Sequence, residues 1–121
     1  MLIQLLNPEF AICKVADFSK LDLEQDYLFL AKTDEECSVV CPAEHIPAPV
    51  IEVERSWRAF RIEGKLDFSL IGIIAKISAL LAAQEISLFV ISTFNTDYFL
   101  VKSHQLGRTM ESLKSNGYQV V

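Results

Sequence analysis

The chain has 121 residues, of which 51% are hydrophobic and 22% charged, with a formal net charge of −5 at pH 7. That length suffices for one ordinary domain or two very small ones, and the apolar share excludes a disordered chain. The charge excludes the basic stripe that a phosphate backbone demands, so no nucleic-acid partner is expected.

In chain order, the first half is irregular. Its opening MLIQLLNPEF lacks the basic start and small-residue cleavage site of a secretion signal, so we expect a soluble, cytoplasmic protein. Residues 10–15, 27–33, 37–41 and 50–54 read as strands, with short helical turns at 18–21 and near 43–45. Cys13, Cys37 and Cys41 invite a metal or disulfide reading. A strand over 37–41 holds its end Cα atoms about 13 Å apart, at about 3.3 Å per residue, too far for a bridge. Together with His45 and His104 the cysteines make no zinc spacing, so no metal and no cofactor is expected. Pro42, Pro47 and Pro49 then mark a boundary. It separates residues 1–55, with 11 acidic and 4 basic side chains, from residues 56–121, with 5 and 7.

The second half is regular. Residues 57–62 alternate apolar and basic side chains, as a strand with one buried face does. From Phe68 to about Gln84, Leu70, Ile73, Ile74, Ile77, Leu80 and Leu81 recur at helical spacing, with Asp67 as the expected N-cap. The apolar run 70–83 within it is shorter than the roughly 20 residues that cross a bilayer, so no membrane association is expected. Residues 86–93 and 98–102 form a hairpin around a polar cluster. Leu106, Met110 and Leu113 mark a second helix, stopped by Asn116-Gly117, and residues 118–121 close as a strand. This order, β-α-β-β-α-β, predicts an α+β, ferredoxin-like fold with two helices on one face of an antiparallel sheet. Residues 1–55 fit the same plan with reduced helices, in which case 50–62 runs nearly continuously from one unit into the next.

The stretches Gly64-Lys-Leu-Asp67-Phe68-Ser69-Leu70-Ile71-Gly72 and Ile91-Ser92-Thr93-Phe94-Asn95-Thr96-Asp97 resemble the ACT domain family. These are the regulatory amino-acid-binding modules of aspartate kinases and of small stand-alone bacterial proteins, with the arginine sensors of the TOR pathway among their relatives. The resemblance covers residues 57–121 well and 33–42 more loosely. It implies two ACT-like units, 1–55 and 56–121, a homodimer, a regulated protein partner and no enzyme activity. Nothing in the chain supplies a nucleophile-bearing turn or a phosphate loop.

In that family effectors lie at an interface between units, which implies a site here made of Asp67, Phe68, Ser69, Leu70, Ile71, Gly72, Ile91, Ser92, Thr93, Asn95, Thr96 and Asp97. Amides at a helix start suit the carboxylate of an amino acid, and Asp97 suits its ammonium. Gly72 leaves room for close approach, and the hydroxyls and Asn95 orient the ligand. Each residue also has a plainer reading: Asp67 as a cap, Gly72 as a packing contact, and Asn95-Thr96-Asp97 as turn chemistry. Glu36, in the acidic run Asp34-Glu35-Glu36, precedes the Cys37 strand at the family-like position. The competing function is a structural or interaction module with the same fold and no ligand.

Overall fold

A computed structural model of the chain describes residues 1–63 and 72–121. These form two compact units, residues 8–57 and residues 1–7 together with 58–121. Two strands are shared out between them: β1 (Leu2–Val15) divides after Asn7, and β4 (Glu52–Ile62) after Trp57. The continuous β4 is the run expected over 50–62. Residues 1–7, grouped by the sequence reading with the first half, fold instead with 58–121.

The larger unit continues from β4 through α1 (Ile73–Ala83), the hairpin β5 (Phe89–Ser92) and β6 (Asp97–Lys102), a short turn at Ser103–Gln105, α2 (Leu106–Ser115) and β7 (Gln119–Val120). Its strands lie in the order β7-β1-β4-β6-β5, with β5 and β6 antiparallel and β7 parallel to β1. The start of β1 therefore separates β4 from β7, which a bare βαββαβ plan would not do. Burial explains the insertion, since Ile3 is wholly enclosed in the core of this unit. Phe60 and Ile62 of β4, Phe99 and Val101 of β6, Ile77 and Leu81 of α1, and Leu113 of α2 complete that core. The alternation of 60 with 62 and of 99 with 101 puts both helices on one sheet face. Phe60 and Phe99 stack with ring centroids 5.0 Å apart. Each fully buried side chain of this size stabilises the fold by about 1.5–3 kcal/mol.

Helix ends follow local chemistry. The N-cap of α1 is Gly72, while Asp67, the expected cap, lies outside the described residues. Gly72 has φ +81°, a left-handed conformation that costs glycine nothing sterically, and its carbonyl accepts the Lys76 amide at 2.9 Å. α2 ends at Asn116 with Gly117 at φ +91°, the Gly117 amide donating to Lys114 O and the Tyr118 amide to Leu113 O. That is the expected glycine cap. The same pair of bonds closes α1, from Glu85 to Ala82 O and from Ile86 to Leu81 O, but here Glu85 holds the left-handed position at φ +59°.

In the smaller unit, β3 (Cys37–Pro42) is antiparallel both to β1, with Cys13 opposite Val39, and to β2 (Phe29–Lys32). Ala11, Cys13, Val15, Val39 and Cys41 form its core. In place of a first helix there are turns, among them one closed by the Leu21 amide on Phe18 O. In place of the second there is a single helical turn, Ala43–His45. Prolines at 47 and 49 keep it from extending, because each lacks the amide that a helix needs. No helix among the described residues is long and apolar enough to cross a membrane.

The two units repeat each other at a fixed spacing of sixty residues. Leu21, Leu28, Phe29 and Thr33 recur as Leu81, Leu88, Phe89 and Thr93, β2 and β3 recur as β5 and β6, and the turn Ala43–His45 recurs as Ser103–Gln105. The helices differ: where the larger unit has α1 and α2, the smaller has turns and the single helical turn Ala43–His45.

Candidate functional site

The hairpin β5-β6 carries the described part of the candidate site. Ser92 and Asp97 are the last opposed pair of the ladder, leaving four residues, Thr93 to Thr96, to turn the chain. The Thr93 amide and hydroxyl both donate to Thr96 O at 2.9 Å, and the Thr96 amide donates back to Thr93 Oγ1 at 3.4 Å. Ser92 Oγ donates to Asp97 Oδ1 at 2.6 Å. Turn chemistry thus employs Ser92, Thr93 and Asp97, while still leaving Asp97 a carboxylate able to accept a charged donor. Asn95 is exposed, Ile91 is half-buried, and Phe94 projects with 71% of its surface in solvent.

Thr96 behaves differently. It is 7% exposed, and its hydroxyl donates across the unit to Ile62 O at 2.7 Å. Ile62 ends β4, so this bond ties the hairpin tip to the strand end from which residues 64–71 depart. Thr96 is therefore an anchor for the turn, a role the sequence reading did not separate from those of its neighbours. Asp67, Phe68, Ser69, Leu70 and Ile71 lie outside the described residues. Gly72 is exposed, with open space where a Cβ would stand. With Gly72 as the cap, the amides at the start of α1 that lack a partner within the helix belong to Ile73, Ile74 and Ala75.

The smaller unit repeats this hairpin. Thr33 Oγ1 accepts the amides of Glu35 and Glu36 at 3.1 Å, and the Thr33 amide donates to Glu36 O at 2.9 Å. Glu36 lines a groove of about 480 Å³ with Lys14, Ser38, Glu52 and Glu54. Both histidines are exposed, as expected of surface residues, with His45 Nε2 3.6 Å from Glu44 Oε1.

All three cysteines are free thiols, Cys13 and Cys41 being buried. Burial pushes the Cys41 thiol up to about 12, helped by neighbouring Cys13. Cys13 is also raised, chiefly by burial, against the opposing effects of its hydrogen bond with Cys41 and of Arg55. Thiols so protonated are packing groups and not nucleophiles. Among the described residues no group of three or more His, Cys, Asp or Glu could hold a metal.

Comparison with known proteins places this hairpin in context. Residues 52–115, more than half the chain, match the ACT domain family from β4 through α2. The chain belongs to the ACT domain family. Members of this family are regulatory amino-acid-binding modules. Over 59 residues the chain is 46% identical to the human cytosolic arginine sensor for mTORC1 subunit 1, a match spanning 48% of this chain and 18% of the sensor. The bovine sensor matches equally. Among solved structures, a protein from Agobacterium tumefaciens superposes with a TM-score of 0.87 at 29% identity, covering 99% of this chain and 91% of that one. The aspartokinase alpha and beta subunits superpose at 0.65, with 14% identity and coverage of 95% and 96%. At that identity the likeness is one of fold, and the fold is the ACT fold.

Proposed function

We propose that this ACT protein is a non-catalytic, cytoplasmic regulator that binds an amino acid and passes the signal to a separate protein partner. On this reading both compact units are ACT-like and two chains pair as a homodimer. The effector then sits between paired units, against residues 67–72 and the hairpin 91–97, with Asp97 taking its ammonium. One observation carries the proposal: the chain matches the ACT family over 52–115 and is 46% identical over 59 residues to a protein named as an arginine sensor. Further support comes from the Thr96 bond to Ile62, which holds the hairpin tip at the end of β4, the strand that precedes the other expected ligand segment in the chain. The effector acts by favouring one arrangement of packed units over another, which requires only that it bind the two with different affinity.

A thermal-shift screen of the twenty amino acids, arginine first, tests the proposal. A ligand at 100 times its Kd adds about 2.7 kcal/mol of stability. Asp97→Asn keeps the turn and the Ser92 contact but removes the charge, so it should weaken binding about tenfold by calorimetry. Absence of any shift across the twenty would favour an interaction module without ligand. That alternative draws its support from Ser92, Thr93, Thr96 and Asp97, whose hydrogen bonds are made to one another and to Ile62.

A further inference from the structure

The sixty-residue repeat exposes a difference between the units. In the larger unit the end of α1 is closed by the Ser103–Gln105 turn and α2: Gln105 Nε2 donates to Glu85 O at 3.4 Å, and the Arg108 guanidinium donates to Gln84 O. The matching positions in the smaller unit are His45 opposite Gln25, and Ala48 opposite Glu24. Ala48 has no side chain long enough to repeat the Arg108 contact. A cleft of about 350 Å³ opens there, lined by Lys20, Asp22, Gln25 and His45 with Ile46 and Pro47 as an apolar wall. That volume lies within the about 300–1,000 Å³ typical of small-molecule sites.

The polar groups of this cleft are of mixed kind. Gln25 Oε1 is shut off from solvent and accepts no hydrogen bond among the described residues. A buried acceptor left in that state is costly, and the terminal torsion of glutamine is soft enough for it to turn to a donor placed in the cleft that Gln25 lines. Asp22 Oδ1 accepts the Glu24 amide at 3.0 Å, and one carboxylate oxygen can still serve a second donor. Lys20, whose charge also acts on Asp17, supplies a cation, and His45 lines the same cleft.

We propose that this cleft is a second ligand site, distinct from the hairpin, and that it takes a small zwitterion of the amino-acid class. The ligand's cationic group occupies the space that Ala48 leaves where the larger unit has Arg108, and donates to Gln25 Oε1 and Asp22. Its carboxylate meets Lys20 and the His45 wall. The site belongs to the smaller unit alone, so it stands or falls separately from the hairpin reading.

The experiment titrates the full chain with glycine, alanine and arginine, using acetate and methylamine as half-ligand controls, while amide resonances are followed by NMR. A zwitterion that binds here shifts residues 20–25 and 45–48, whereas acetate and methylamine bind about tenfold more weakly or worse. Ala48→Arg restores the side chain of the repeat, fills the cleft and abolishes those shifts, while Asp97→Asn leaves them intact. Lys20→Ala, at an exposed position that does not threaten folding, should weaken the same response about tenfold. The proposal is overturned if no zwitterion moves these amides, or if Ala48→Arg leaves the response unchanged. It is equally overturned if Asp97→Asn abolishes the shifts, since all binding would then belong to the hairpin.

Discussion

Replacing Thr96 by valine removes one hydroxyl from a side chain of nearly the same shape. The lost bond is short, 2.7 Å to Ile62 O, and lies in a position only 7% exposed. A typical hydrogen bond contributes about 0.5–1.5 kcal/mol net, and a buried acceptor stranded by its loss adds a desolvation penalty of about 1–3 kcal/mol. Valine offsets part of this by burying a methyl in place of the hydroxyl. We therefore expect a destabilisation of about 1–2 kcal/mol, which at this chain length lowers Tm by about 4–8 °C. Thr93→Val supplies the internal comparison, because its hydroxyl bond is local and Thr93 is exposed. It should cost about 0.5 kcal/mol or less. Calorimetric and urea melts of the two variants beside the parent measure both. Equal melting of Thr96→Val and the parent, or a larger loss in Thr93→Val, would refute the role of Thr96 as the anchor between hairpin tip and β4.

Three further outcomes follow from the structure. Glu85→Gly relieves a left-handed residue at φ +59° while keeping both capping bonds of α1, and should raise stability by about 0.5–1 kcal/mol in urea unfolding. A thiol reagent on the native protein should label half-buried Cys37 first, with buried Cys13 and Cys41 reacting at the rate of unfolding; rapid reaction of all three would contradict the burial described. Since Cys41 rises from the usual 9.0 to about 12 in the folded chain, its contribution is fully present below pH 9 and is lost as pH climbs from 9 towards 12. Melts of Cys41→Ala across that range should lose less stability with pH than the parent.

Much of the larger unit was legible in advance because its signals are local. The spacing of Leu106, Met110 and Leu113 and the Asn116-Gly117 stop describe α2, and the polar cluster between two β-rich runs describes the hairpin. The periodicity also describes α1, but not its Gly72 cap, because Gly72 acts through a backbone conformation that a pattern of side chains does not record. The Lys20, Asp22, Gln25 and His45 cleft gave no advance signal except the sixty-residue repeat, because it arises from what the smaller unit lacks.

The amino-acid sequence by itself determined the βαββα order, the turns and the likeness to ACT modules, since helix periodicity, hairpin chemistry and glycine stops act over a few neighbouring residues. Only the tertiary structure decided that residues 1–7 enter the larger unit beside β7, and that Thr96 reaches back to Ile62. It likewise decided that Ala48 leaves a space where Arg108 fills one. Those outcomes depend on contacts between residues far apart in the chain, where burial of Ile3 or the pairing of one hydroxyl selects the partner, and no local pattern records the choice.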